Sequence, residues 1–168
     1  FAIGGDEATF IDNGIHPMWS PDNNKILYAK TDGLYVYNRV NKVTQKVVPL
    51  SDPNGKISAS TMLDLSDDGR FLLWSNPSRS NITLFLIESW DEFSITPVNS
   101  IRNPGVEYFW PRFSPDGNYV ALQAIDDDNQ GNRTNPRIEI WLVETLEPVA
   151  TYSLAGYDFM STFIDDWI

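Results

Sequence analysis

The sequence contains no cysteine and a single histidine, His16, among its 168 residues. The absence of cysteine excludes disulfide bonds, thiolate nucleophiles and cysteine-ligated zinc. A Ser-His-Asp triad or a histidine-based metal site would have to use His16. The sequence also lacks a G-x-S-x-G elbow, a phosphate-binding glycine loop and an H-E-x-x-H segment. We therefore expect neither a catalytic site nor a bound cofactor in this stretch of sequence.

Basic residues and long apolar runs are also scarce. Lysine and arginine number 12 against 23 aspartates and glutamates, which gives a formal net charge of −11. A chain of this charge repels nucleic-acid phosphates and anionic membrane surfaces. Its apolar runs are far shorter than the roughly 20 residues that span a bilayer. Nucleic acid and direct membrane insertion are therefore not expected.

A short turn motif occurs three times. In the third copy Pro115 fixes φ near about −65°, Asp116 can bond back to the backbone, and Gly117 tolerates a positive φ, so the chain must reverse there. In the earlier copies we expect Asn24 and Gly69 to take the place of Gly117, since both residue types accept the left-handed conformation. The copies are Ser20-Pro21-Asp22-Asn23-Asn24, Ser66-Asp67-Asp68-Gly69 and Ser114-Pro115-Asp116-Gly117.

The serines of these turns lie about 47 residues apart, the length of one four-stranded propeller blade. The spacing predicts an all-β fold, a β-propeller segment of about three blades at 15–50, 57–100 and 106–154. Residues 155–168 are then a tail or the start of a further blade. Because a closed propeller usually has at least four blades, more chain, a partner or a second copy would complete the ring.

Apolar and polar residues alternate with a period of two inside each predicted blade, as expected for half-buried strands. The predicted first, second, third and fourth strands are Pro17–Trp19, Lys25–Lys30, Leu34–Asn38 and Val43–Val48; Thr61–Leu65, Arg70–Ser75, Ile82–Ile87 and Ser94–Val98; and Tyr108–Phe113, Tyr119–Ile125, Arg137–Val143 and Pro148–Ser153. Further strands are predicted at Ala8–Ile11 and at Gly156–Ser161. We expect three sets of apolar positions to superpose: Trp19, Leu65 and Phe113; Ile26, Phe71 and Tyr119; and Leu27, Leu72 and Val120.

The third copy, from Trp110-Pro111-Arg112-Phe113-Ser114-Pro115-Asp116-Gly117 to Ala121 and then Ile138–Val143, resembles the WD40-like (PD40) repeat of TolB-type β-propellers. A similar repeat occurs in the propeller domains of prolyl oligopeptidase-type and dipeptidyl-peptidase-type enzymes. The resemblance covers about residues 15–153 and is weakest in the second copy, where Asp67 replaces proline. It implies a propeller that binds partners, and it favours a periplasmic or other extracytoplasmic location. It brings no shared catalytic motif.

The acidic run at 126–132 is the one stretch with the density of a metal site. Asp126, Asp128 and Gln130, followed by Gly131, imitate the first half of a calcium loop, in which oxygen ligands alternate before a sharp bend. The twelfth position, however, is Arg137 where a bidentate glutamate is required. We therefore interpret the run as an enlarged hairpin loop and keep calcium as the alternative.

Four residues are candidates for contact with a partner. Tyr108, Trp110 and Arg112 alternate along one predicted strand and belong to the residue types enriched at binding hot spots. His16 precedes a first strand, where loops line a rim of the ring. The alternative for the aromatic residues is packing in the core between blades.

Three functions are consistent with this sequence. The first is a non-catalytic interaction or scaffold propeller, whose rim loops or open blade edges are covered by another protein or subunit, or by a further copy of the chain. The second is a propeller that gates or orients substrate for a hydrolase or peptidase domain outside this segment. The third is a propeller that binds a glycan or another polymer through exposed tryptophans and acidic loops.

Overall fold

A computed structural model describes residues 10–47, 62–76, 78–128, 130 and 132–156. These residues form twelve strands and no helix: β1 Ile15–Trp19, β2 Lys25–Lys30, β3 Gly33–Asn38, β4 Val43–Val47, β5 Leu63–Leu65, β6 Phe71–Ser75, β7 Ile82–Ser89, β8 Ser94–Ile101, β9 Val106–Phe113, β10 Tyr119–Asp127, β11 Arg133–Leu142 and β12 Glu147–Ser153. In this described part of the chain there is accordingly no helix suited to crossing a membrane.

The strands form three antiparallel sheets, each made of four strands that follow one another in the chain. The first sheet has the order β1-β2-β3-β4, the second β5-β6-β7-β8 and the third β9-β10-β11-β12. The predicted grouping into three sets of four strands is confirmed. The predicted strands at Ala8–Ile11 and Gly156–Ser161 lie largely outside the described residues, and Phe10, Ile11 and Gly156 belong to no strand.

The three turns between the first and second strands share one hydrogen-bond pattern. In each, the serine hydroxyl donates to the aspartate two residues later, at 2.6 Å for Asp22, 2.7 Å for Asp68 and 2.5 Å for Asp116. The same hydroxyl accepts the amide N–H of the residue that begins the second strand, at 2.9 Å in all three turns. The strand therefore reverses because serine and aspartate side chains satisfy the turn's backbone groups.

The first turn corrects the predicted alignment by one residue. Asn23, with φ of 57°, occupies the left-handed position of Gly69 and Gly117, whereas Asn24 was expected there. The serine N–H of the turns bonds to the carbonyl oxygen of Lys25, Phe71 and Tyr119, respectively. Lys25 is thus the equivalent of Phe71 and Tyr119, and Ile26 that of Leu72 and Val120. The correction matters because a shift of one residue moves every strand side chain to the opposite face.

The core lies between the sheets. One buried cluster joins the first and second sheets and includes Leu27, Leu34, Leu72, Trp74 and Phe85. A second cluster joins the second and third sheets and includes Leu73, Leu84, Val120, Leu122 and Trp141. Neighbouring residues of β6 thus point to opposite sides, as strand geometry requires. The middle sheet is apolar on both faces because it has a neighbour on each.

The first strands are the inner ones. Strand β5 contacts β9, and β1 contacts β5, whereas β4, β8 and β12 are mostly exposed. Side chains near β1, β5 and β9 therefore lie where the three sheets converge.

Candidate interaction surface

The inner strands β1 and β9 carry the same irregularity. In β1, His16 and Pro17 together face one residue of β2, between the pairs Ile15 with Ala29 and Met18 with Leu27. In β9, Trp110 and Pro111 do the same between Phe109 and Arg112. His16 and Trp110 both have positive φ, 51° and 49°. Each pair is a β-bulge, a feature that redirects side chains at functional edges.

The residue pair explains the position of the bulge. A bulge leaves one residue out of the hydrogen-bond ladder between the strands. Proline suits such a position because it has no N–H group that would be left unpaired. The second sheet has Met62-Leu63 in place of the proline pair, and β5 begins only at Leu63. The N–H of Trp110 lies 3.0 Å from Sδ of Met62. The bulge in β9 therefore brings the backbone of Trp110 against Met62, which holds the position equivalent to Trp110 in the second sheet.

Arg112 and Asp64 join the inner strands of the second and third sheets. Arg112 Nη1 lies 3.1 Å from Asp64 Oδ1, and the Phe113 N–H donates to Asp64 Oδ2 at 2.7 Å. Burial raises the pKa of Asp64, although the bonds from Phe113 and Arg112 act in the opposite direction. The arginine side chain keeps 41 % of its surface exposed. Arg112 is thus both a link between sheets and an accessible cation.

Tyr108 does not share this surface. Its side chain is fully buried in the cluster between the second and third sheets, where its ring meets Trp141 edge-on. Burial raises the pKa of Tyr108 to about 12. The expected alternation of Tyr108, Trp110 and Arg112 is interrupted, because the bulge inserts one residue between Tyr108 and Arg112. Arg112 is accessible to solvent and His16 and Trp110 are half-buried, whereas Tyr108 is fully buried.

The acidic run forms a shorter loop than predicted, since β10 extends to Asp127 and β11 begins at Arg133. Asp126 bonds Arg137 Nη1 at 2.7 Å and Asn135 Nδ2 at 3.0 Å. Asp128 accepts the N–H groups of Gln130 and Asn132. Among the described residues no group of three histidines or carboxylates is arranged to hold a metal ion. The pairing of β10 with β11 makes the run a hairpin loop, and calcium at Asp126, Asp128 and Gln130 stays the alternative prediction.

The outer face of the first sheet is the surface that the sequence interpretation missed. Six positions recur in all three sheets. The serine turns and matching hydrogen bonds in the loops align the sheets. The strand pairs agree with this alignment: Ile26 with Tyr37, Leu72 with Phe85 and Val120 with Trp141. In the second sheet they are Leu65, Leu72, Trp74, Phe85, Ile87 and Phe93, all packed against the first sheet. In the third they are Phe113, Val120, Leu122, Trp141, Val143 and Leu146, all buried against the second.

In the first sheet the six positions hold Trp19, Ile26, Tyr28, Tyr37, Arg39 and Lys42, which we call the open face. Trp19 is 51 % exposed. The Arg39 guanidinium lies 5.3 Å from the centre of the Trp19 ring and donates to the carbonyl of Asn23 at 3.0 Å. The open face therefore presents aromatic and cationic side chains where its two equivalents are buried and apolar.

Part of the open face is covered by the chain that precedes β1. Asp12 accepts hydrogen bonds from the Tyr28 hydroxyl at 2.9 Å and from Lys30 Nζ at 3.1 Å. The Lys30 bond is the main reason that the pKa of Asp12 is lowered. A cleft of about 180 Å³ remains here, lined by Ile11, Asp12, Gly14, Pro17, Ile26 and Tyr28. The half of the face near Trp19, Tyr37 and Arg39 is accessible.

Solved structures resemble this arrangement. The β-propeller domain of Cps50 (Swd1) from Myceliophteria thermophila superposes with a TM-score of 0.59 at 16 % identity, over 83 % of this chain and 42 % of that one. The fold is a β-propeller. The WD40 repeats of RRP9 give 0.57 at 14 % identity, over 81 % of this chain and 37 % of that one. Hydrazine synthase from Kuenenia stuttgartiensis gives 0.59 at 16 % identity, over 94 % and 40 %.

Each four-stranded sheet is therefore one propeller blade, and the chain spans about two fifths of the length of the structures that it matches. At these identities the likeness concerns the fold alone. No family model matches the sequence, and no curated protein matches it.

Proposed function

We propose that this chain is a non-catalytic interaction or scaffold propeller that works as part of a larger propeller or of a multi-subunit assembly. The observation that carries the proposal is the open face. Its six positions are covered by a neighbouring blade in both other copies, yet here they expose a tryptophan and two cations. Exposed aromatic and arginine side chains at a repeated packing position favour a protein partner.

The WD40-type propellers among the matched structures are consistent with this role. We further propose the TolB type of WD40-like repeat, because the Ser-Pro-Asp turn that defines the resemblance is the element that reverses the chain in the first and third blades. Arg112, Trp110 and His16 at the inner strands would then form a second contact region at the rim.

The absence of catalysis and of a cofactor is also part of the proposal. The single histidine of the chain sits in a bulge next to proline. The carboxylates of the acidic run are engaged by Arg137, Asn135 and turn amides. Neither arrangement resembles a nucleophile with its base.

The test is the mass of the tagged chain, purified under native conditions from its own source and measured by light scattering. We expect a discrete particle heavier than the 19.1 kDa of the chain, reduced by Trp19→Ala or by Trp110→Ala at unchanged circular dichroism. Tyr152→Ala, at an exposed position of β12, is the matched control. A 19.1 kDa particle in the native extract would refute the proposal. If the isolated recombinant chain already forms a multiple of this mass, the partner is a second copy.

A further inference from the structure

We infer that the open face receives a partner β-blade that is apolar at its centre and carries a carboxylate at the end of its second strand nearest the serine turn. The inference rests on the proposed function and names the chemistry of the partner. It depends on the structure of two contacts between blades that are already present in the chain.

We infer the apolar centre of the partner blade from the packing that recurs between the described blades. Where the first and second blades meet, Leu72, Trp74 and Phe85 pack on Leu27, Leu34 and Val36. Ile26, Tyr28 and Tyr37 occupy the equivalent positions of the open face. Tyr28 is already covered by Asp12, whereas Ile26 and Tyr37 offer the same kind of surface as Leu72 and Phe85. A sheet that covers Ile26 and Tyr37 needs an aliphatic face like that of Leu27, Leu34 and Val36.

We infer the carboxylate of the partner blade from a reversal of charge at one end of the open face. Where the first and second blades meet, Lys25 is 7 % exposed in its side chain and bonds Asp91, in the loop between β7 and β8, at 3.1 Å. Asp91 lies at the solvent edge of this contact, with 97 % of its side chain exposed. The corresponding loop of the first blade, between β3 and β4, has no acidic residue and carries Arg39 and Lys42. Neither forms an ion pair with a described residue. In the same geometry, an acidic residue at the partner blade's equivalent of Lys25 would meet these two cations at the edge of the contact.

The two cations also replace apolar residues. Arg39 and Ile87 are equivalent because their N–H groups bond the carbonyls of Asn24 and Arg70, at 2.9 and 2.7 Å. Lys42 and Phe93 each precede a fourth strand with positive φ, 58° and 35°. An uncharged partner would cover both cations and supply no counter-ion, which is unfavourable even though Arg39 keeps its hydrogen bond to the Asn23 carbonyl. The open face therefore disfavours a partner blade with aliphatic residues at this edge and favours a partner blade with an acidic residue there.

A second copy of this chain fits the face poorly. The outer face of its third blade is the one that would dock, and it has Tyr119 at the position of Lys25. Its residues Ala121, Gln123 and Ile125 are already buried in the single chain. Ile138 and Ile140, at the positions of Leu34 and Val36, are half-buried. No carboxylate of that face would meet Arg39. We therefore assign the face to a blade from outside the described sheets.

The test places the photo-crosslinking residue p-benzoylphenylalanine at position 37 of the chain expressed in its own source, followed by irradiation and mass spectrometry of the linked peptide. We expect a strand with alternating apolar residues next to a turn that carries aspartate or glutamate. The same probe at Tyr152 is the control. If the probe at position 37 disturbs the circular dichroism, position 19 takes its place, since Trp19 is the most exposed aromatic of the face.

Charge reversal gives the second readout. Arg39→Glu combined with Lys42→Glu should lower the crosslinking yield by about tenfold or more, because like charges would then face each other. Arg102→Glu, at an exposed arginine outside the face, should leave the yield unchanged. A peptide from a second copy, a peptide that is not a β-strand, or a yield equal to that at Tyr152 would overturn the inference. A heavy native particle that lacks the position-37 crosslink would leave the proposed function intact and refute only this face.

Discussion

Replacing Asp64 by alanine should destabilise the chain far more than replacing its ion-pair partner Arg112. Asp64 accepts hydrogen bonds from the guanidinium of Arg112 at 3.1 Å and from the N–H of Phe113 at 2.7 Å. The two bonds differ in environment. The arginine is 41 % exposed and can turn to water, whereas the Phe113 amide belongs to a residue that is 7 % exposed.

The magnitudes follow from that difference. An exposed ion pair contributes about 0 to 1 kcal/mol, so Arg112→Ala should lower the free energy of unfolding by no more than about 1 kcal/mol. A buried donor left without its acceptor costs about 1 to 3 kcal/mol. Asp64→Ala should therefore cost about 2 to 3 kcal/mol, in the upper part of that range, because it removes the ion pair as well as the acceptor. Asp64→Asn retains an oxygen for the Phe113 amide and should fall between the two.

Urea unfolding followed by tryptophan fluorescence measures all three variants, and the double variant completes a thermodynamic cycle. We expect a coupling energy between Asp64 and Arg112 of at most about 1 kcal/mol. If Arg112→Ala costs as much as Asp64→Ala and the coupling accounts for nearly all of it, the ion pair holds the inner strands together and our reasoning is wrong. In that case Arg112 would also be a poor candidate for partner contact.

Three further predictions concern the repeated turns. Gly69→Ala should cost about 1 to 3 kcal/mol more than Gly117→Ala in urea unfolding. Both glycines have φ near 70°, but an added Cβ at Gly69 would collide with the ring of Pro21, whereas at Gly117 it meets nothing within 4 Å. Equal costs would show that Pro21 and the contact between the first two blades shift to make room. Ser66→Ala should cost about 1 to 3 kcal/mol, since the buried Ser66 hydroxyl serves both the Phe71 amide and Asp68; a change below about 0.5 kcal/mol would mean that the turn does not depend on it. The hydrogen bond from Ser20 and those from Asn24 lower the pKa of Asp22 to about 2. Because this folded pKa lies below the unfolded value, the stabilisation by Asp22 is complete above about pH 4 and is lost as the pH falls through about 2; the melting temperatures of wild type and Asp22→Ala should converge over that range, and a constant difference would contradict the assignment.

Local chemistry was enough to predict the blades. Each reversal depends on a serine, an aspartate and a residue that accepts positive φ, all within five positions of one another. The alternation of Leu34 and Val36 with Tyr35 and Tyr37 places the first pair in the core. Signals of this kind need no knowledge of distant residues, so the number and order of the strands could be predicted.

Two differences between the sequence predictions and the structure have a physical origin. Asn23 and Asn24 can both adopt the left-handed conformation, so composition does not decide which one does; the structure assigns it to Asn23. Tyr108 was a candidate for partner contact because strict alternation was assumed through Trp110, and its burial supports the alternative, packing in the core. The pair Trp110-Pro111 already indicated a bulge, since proline within a strand is confined to edges and irregularities.

The open face could not be recognised before the three blades were aligned in space, because an exposed tryptophan has no signature in a single strand. Once the blades are aligned, residues at equivalent positions can be compared. Ile87 and Val143 are buried, whereas Arg39 at the equivalent position of the first blade is exposed. A terminal face that only had to meet water could have replaced its aromatic residues along with its aliphatic ones. Trp19 and Tyr37 are instead retained while cations appear at one end. That combination is expected of a surface that excludes water at its centre and selects its partner by charge at its edge.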